Sequence, residues 1–260
     1  KVIARYLHES LRLSHPRIKK MDEALDQISR AKEIVPNYFE IYRISALIKS
    51  YRGDLLGANE DYLIALEIEP NNARLLYFYS MFMLTKMNDV ESALTYAKKA
   101  YEIKPESLEI AICYARCMGY QGNFDVAIDI LDKRFNDDTQ MPPDTFRVIT
   151  TIMIDLYRRW ANTDVDLNCD RKSAMIKLLK TTELFERAAK FGEIDFPMIR
   201  EFSEALYWLL ITIADSGEEQ DREFVINLYR KYEDYIEQSP SFPRIRETII
   251  QQYDTSLFEL

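Results

Sequence analysis

GDLLGANEDYLIALEIEP, residues 53–70, and NDVESALTYAKKAYEIKP, residues 88–105, are two copies of one pattern. Ala58 and Ala65 in the first stand where Ala93 and Ala100 stand in the second, and each copy closes on Ile, any residue, Pro. Working outward, Ala24 and Ala127 extend the first alanine column, Ala31 extends the second, and Pro36 precedes Pro70 and Pro105 at steps of 34 and 35 residues. Gly53, Asn88 and Gly122 form a turn column between two helical patterns. Such a period, with apolar residues spaced by three and four on either side of a turn, predicts repeated helical hairpins.

In the clearest repeat, helix A carries Tyr42, Ser45, Ala46 and Lys49, and helix B carries Leu55, Ala58, Tyr62, Ala65 and Ile68. The helix B set falls on one face, where the small alanines admit a close backbone approach and Tyr62 and Ile68 fill the space beside them. One such pair cannot bury its apolar stripe alone, so stacking of further pairs must close the core. The turn column suits a helix C-terminus with positive φ, which Gly adopts freely and Asn tolerates. Over residues 21–135 the sequence resembles the tetratricopeptide repeat family. That resemblance implies an all-α, right-handed solenoid of helix-turn-helix repeats that continues into, or is capped by, longer irregular helices. The array departs from the pattern where His8, Leu76 and Ala111 stand in place of the helix A aromatic. It departs again where Arg134 interrupts the alanine column.

The net charge of −9 is uneven: residues 1–138 hold 19 Lys and Arg against 21 Asp and Glu, and residues 139–260 hold 15 against 22. No basic footprint for nucleic acid is present, so a nucleic-acid partner is not expected. Three thiols, Cys113, Cys117 and Cys169, with no zinc spacing and no signal-peptide start, fit a reducing cytoplasm. The most apolar run, 206–214, is far too short to span a bilayer. A chain opening on Lys1 is expected to be a processed form or a piece of something longer.

Along the chain, residues 2–14 and 21–34 are expected to form the first hairpin, with Pro16 breaking between them. Three hairpins follow: 39–51 with 55–68, 73–86 with 90–103, and 107–120 with 124–135. The polar, proline-closed stretch 136–143 reads as the boundary between a repeat region, 1–138, and a helical region, 139–260. Helices are expected there over 144–162, 171–191, 197–216, 221–238 and 245–257, either as degenerate longer repeats or as a separate bundle.

Residues 164–170 place Asp164, Asp166, Asn168 and Asp170 at alternate positions, as the first half of a calcium loop does. Cys169 replaces the turn glycine and Met175 the final glutamate, so a loop that caps the next helix is the better reading. His8 and His15 lack a paired carboxylate motif, and Cys113 and Cys117 read as buried or groove-lining thiols. No phosphate loop, nucleophile elbow or kinase motif occurs. Neither a catalytic residue, a metal nor a cofactor is expected.

In the family resembled, partners lie along the inner A helices. By register this groove is expected to comprise Arg43, Leu47, Tyr51, Tyr77, Phe78, Met81, Ile112, Arg116 and Tyr120, with Tyr77, Met81 and Arg116 sharing one surface. Leu47, Met81 and Ile112 stand where a carboxylate clamp for acidic chaperone tails needs Lys and Asn, which disfavours that ligand. The resemblance implies a non-enzymatic scaffold for a peptide or protein partner, with no membrane partner. An alternative is the C-terminal sensing array of a larger STAND-like signalling ATPase.

Overall fold

The computed structural model describes residues 16–137, 142–166, 170–191, 194–214 and 219–252. Among them are twelve α-helices, one π-helical turn and no strand. The chain divides into two compact units, residues 1–121 and 122–260. The expected helix 2–14, with His8 and His15, lies outside the described residues, as does Cys169.

The first unit contains α1 (Pro16–Ile34), α2 (Phe39–Arg52), α3 (Leu55–Ile68), α4 (Ala73–Phe82, continued by a π turn over Met83–Met87), α5 (Val90–Ile103) and α6 (Leu108–Tyr120). Helix α1 starts five residues earlier than the sequence pattern indicates. Pro16 begins it because the missing N–H and fixed φ of proline suit the first helical position. Asp54, Asn72 and Asp89 cap α3, α4 and α5, each accepting the backbone N–H three residues on, at 3.0, 3.1 and 3.0 Å. The turn column has the expected geometry: Gly53, Asn88 and Gly122 have φ of 94°, 55° and 92°.

Each element packs on the next, and α4 also touches α6, the A helix of the following hairpin. The alanine columns lie at these interfaces, with Ala58, Ala65, Ala93 and Ala100 fully buried. Beside them Tyr62, Tyr79, Phe82 and Tyr96 form an aromatic cluster, Tyr62 lying 5.4 Å from Tyr79 and 5.2 Å from Phe82, and Tyr96 4.6 Å from Tyr79. Full burial of a large apolar ring such as Phe82 contributes about 1.5–3 kcal/mol.

The irregular step of the repeat has a structural counterpart. From Asn72 to Asn88 the A segment is one residue longer than from Tyr38 to Gly53. The additional residue is taken up by the π turn, in which the Asn88 N–H reaches back to the Met83 carbonyl. The Thr85 hydroxyl donates to the Met81 carbonyl at 2.7 Å in the same turn.

The second unit contains α7 (Phe124–Asp137), α8 (Pro143–Asp166), α9 (Arg171–Phe191), α10 (Phe196–Ala214), α11 (Glu219–Ile236) and α12 (Phe242–Gln252). Helix α8 packs on α7, α9 and α10, and α10 packs on α9, α11 and α12. Phe185 and Phe202 stack with centroids 3.9 Å apart, and Tyr232 meets both edge-on. Asp170, at the end of the calcium-like string, caps α9 by accepting the Ser173 N–H at 2.9 Å. Asp164, at its start, is buried and paired with Lys177, whose ammonium stands 4.1 Å from the Trp160 ring centre.

Candidate functional site

The A helices α2, α4 and α6 carry the residues that the register assigned to a binding face. Arg43 is only 8% exposed, so it acts within the wall rather than at its surface. Its guanidinium grips both carboxylate oxygens of Glu40, at 2.6 and 2.9 Å, and lies 4.5 Å from the Phe78 ring centre on α4. The Arg43 hydrogen bond, which outweighs the effect of burial, holds the Glu40 carboxyl below its ordinary value. Arg74 stands 5.6 Å from the same Phe78 ring. Phe78 thus has a cation from each of two neighbouring A helices.

Toward the C-terminal ends of α2 and α4, Lys86 approaches the Tyr51 ring at 5.6 Å. Tyr51 itself is 60% exposed. Between these points Tyr77 and Phe78 meet at 5.1 Å, and Tyr77 and Met81 pack against the core while keeping part of their surface open. Burial pushes the Tyr77 hydroxyl up in pKa, Glu109 reinforces the shift and Arg116 opposes it, and the Tyr77 ring packs against a core cluster that includes Ile110 of α6. Leu47, Ile112 and Arg116 are half-buried, and Tyr120 is 47% exposed. The structure therefore links Arg43 to Phe78, Tyr51 to the α4 terminus, and Tyr77 to α6.

Three residues on this face were absent from the sequence expectation: Glu40, Arg74 and Lys86. Helical spacing could have supplied Arg74, which lies four and seven residues before Phe78 and Met81. Lys86 could not be placed that way, because the π turn rotates it out of the regular register.

Two other clusters belong to the core. Asp61, 3% exposed on α3, accepts Lys32 of α1 at 2.6 Å, and Lys49 and Ser45 of α2 at 2.7 and 2.5 Å. Cys113 and Cys117 are buried beside the Ser80 hydroxyl, at 3.4 and 3.7 Å. Contact with Cys117, together with burial, pushes the Cys113 thiol up, so it remains protonated. An open cleft of about 250 Å³ lies between α3, α4 and α5, lined by Leu63, Leu66, Pro70, Leu76, Tyr96 and Lys99 among others. Lys99 closes one side by donating to the Pro70 carbonyl at 3.0 Å. Among the described residues no group of His, Cys, Asp and Glu is arranged to hold a metal. No described helix is long and apolar enough to cross a membrane.

No protein-family model matches the sequence, and no curated protein matches it. Solved structures do match by shape. Pseudomonas aeruginosa PilF is 15% identical with a TM-score of 0.54, over 94% of this chain and 97% of that one. A tetratricopeptide repeat protein from Parabacteroides merdae is 15% identical with a TM-score of 0.52, over 85% and 78%. Human IFIT1, solved as a dimer with PPP-AAAA, is 18% identical with a TM-score of 0.55, over 93% of this chain and 52% of that one. At these identities the likeness establishes the fold.

Proposed function

From a tetratricopeptide-like, all-α repeat fold, we propose that the A-helix face of residues 39–120 binds a peptide or a folded protein surface and performs no chemistry on it. The observation that carries this reading is the exposure of Tyr51 and Tyr120, 60% and 47%, on helices whose other sides are buried against their neighbours. Large aromatic side chains with cations beside them are the residue types that dominate protein interfaces. We place the protein in the cytoplasm, a reading supported by the buried free thiols Cys113 and Cys117. Residues 139–260 are read as longer, degenerate repeats; support comes from α8 and α10, which each pack on the next helix and on the one after it.

The test is affinity capture on the immobilised chain, with partners identified by cross-linking and mass spectrometry. Tyr51→Ala combined with Tyr120→Ala is expected to lose capture while keeping helicity and thermal midpoint, because Tyr51 is mostly in solvent and Tyr120 about half so. Glu60→Lys on the exposed side of α3 is expected to retain it. Equal capture by all three proteins would overturn the reading.

A further inference from the structure

The charges of the first unit are sorted by helix. The A helices α2, α4 with its π turn, and α6 hold six Lys and Arg against two Glu, whereas the B helices α1, α3 and α5 hold seven against nine acids. In a chain of net charge −9 the A helices therefore form a basic strip. Half of its cations are committed internally: Arg43 to Glu40, Lys49 to Asp61, and Arg52 to Asp22. The other three, Arg74, Lys86 and Arg116, form no ion pair with a carboxylate among the described residues. Two of them stand by aromatic rings of the face instead, Arg74 by Phe78 and Lys86 by Tyr51, each at 5.6 Å, while Arg116 is half-buried on α6.

From this arrangement we infer that the A-helix face takes an acidic peptide segment whose carboxylates meet Arg74, Lys86 and Arg116 while its apolar or aromatic side chains pack on Tyr51 and Tyr120. The inference rests on the binding-face reading above and names the chemistry of its partner. A cation held over a ring keeps its hydrogen-bonding edge turned outward and loses little freedom when a carboxylate arrives. Charge complementarity then selects an acidic chain over a neutral one and repels a basic one. Neighbouring A helices are about 10 Å apart, so three of them span roughly 20 Å, which an extended segment of about six to seven residues covers. A peptide presents acids and apolar groups in alternation along that length, matching cations interleaved with tyrosines. A single-stranded nucleic acid offers charge and stacking bases too, but it is held along a continuous basic groove, which three cations spread over α4 with its π turn and α6 do not make.

The test is fluorescence anisotropy on the full chain with labelled probes: an extended peptide alternating Glu and Asp with Phe and Leu, its Gln and Asn counterpart, and a single-stranded RNA of similar length. The acidic peptide is expected to bind at least tenfold more tightly than the other two and to weaken with added salt. The triple variant R74Q/K86Q/R116Q is expected to lose about tenfold or more for the acidic peptide. R74Q/K86Q, which changes only exposed side chains, provides a control on folding and should lose part of that affinity. Preference for the neutral peptide or the RNA overturns the acidic inference, as does undiminished acidic binding in both charge variants. In either case loss of binding in the Tyr51→Ala, Tyr120→Ala protein would leave the binding-face reading standing. Failure of every probe to bind, or binding indifferent to both sets of variants, overturns both.

Discussion

The Lys49 ammonium reaches the Asp61 carboxylate at 2.7 Å across the two helices of one hairpin, and the same carboxylate takes Lys32 of the preceding B helix at 2.6 Å. One buried acid thereby ties α1, α2 and α3. Removing it strands two ammonium groups that are each about a quarter exposed and can turn to water. Asp61→Ala is therefore expected to destabilise by about 2 kcal/mol, less than the cost of breaking a fully buried pair. A urea midpoint unchanged from wild type would contradict this.

The same residue sets an acid dependence. Burial alone would raise the Asp61 carboxyl, but hydrogen bonds from Lys32, Lys49 and Ser45 outweigh it and hold the carboxyl below its ordinary value. The unfolded chain then binds the proton more readily, so Asp61 contributes fully above the ordinary carboxylate range and loses its contribution as pH falls through the folded value. Below about pH 4, the stability of wild type should fall more steeply than that of Asp61→Asn. Parallel stability curves from chemical denaturation across that range would refute it.

Ala65 has no exposed surface and sits where α3 closes on its neighbours. Ala65→Leu adds three carbons to a filled interface and should destabilise by about 1–3 kcal/mol. Thermal unfolding measures the change, and an unaltered midpoint would mean the interface yields without cost.

Ser203 on α10 is completely buried, and its hydroxyl has no hydrogen-bond partner among the described residues. Replacing it with Ala removes an unsatisfied polar group and improves helix propensity, so Ser203→Ala should stabilise by about 1 kcal/mol. A loss of stability would show that the hydroxyl has an undetected role.

Asn88 holds φ of 55° at the end of the π turn. Asn88→Gly is expected to change stability by less than about 0.5 kcal/mol, whereas Asn88→Val, β-branched at positive φ, should cost more than about 1 kcal/mol. Equal unfolding midpoints for the two variants would contradict a left-handed requirement.

The repeat architecture was legible because its signals are local. Alanine spacing, Asn88 in a column of glycines, and the Ile, any residue, Pro closure each specify a conformation within one or two turns. Asp61 was not legible, since nothing near it in sequence announces Lys32, 29 residues away; it simply reads as one more acid on a B helix. The register assigned Arg43 to the binding face, but could not show that Glu40 and Phe78 would draw it into the wall. Exposure at Tyr51 and Tyr120 likewise depends on what the neighbouring helices leave open.

The π turn at Met83–Met87 has a consequence for how this array is compared with others. It stores a single-residue insertion in the middle of a helix, with no gap in the stack and no lengthened loop. An alignment that enforces a constant repeat length would place the missing position in the turn at Asn88 and shift Thr85, Lys86 and Met87 by one residue. Equivalences drawn across that point would pair Lys86 with side chains on a different flank of the helix. Superposition, rather than period, is the proper guide to which residues correspond from Met83 to Asn88.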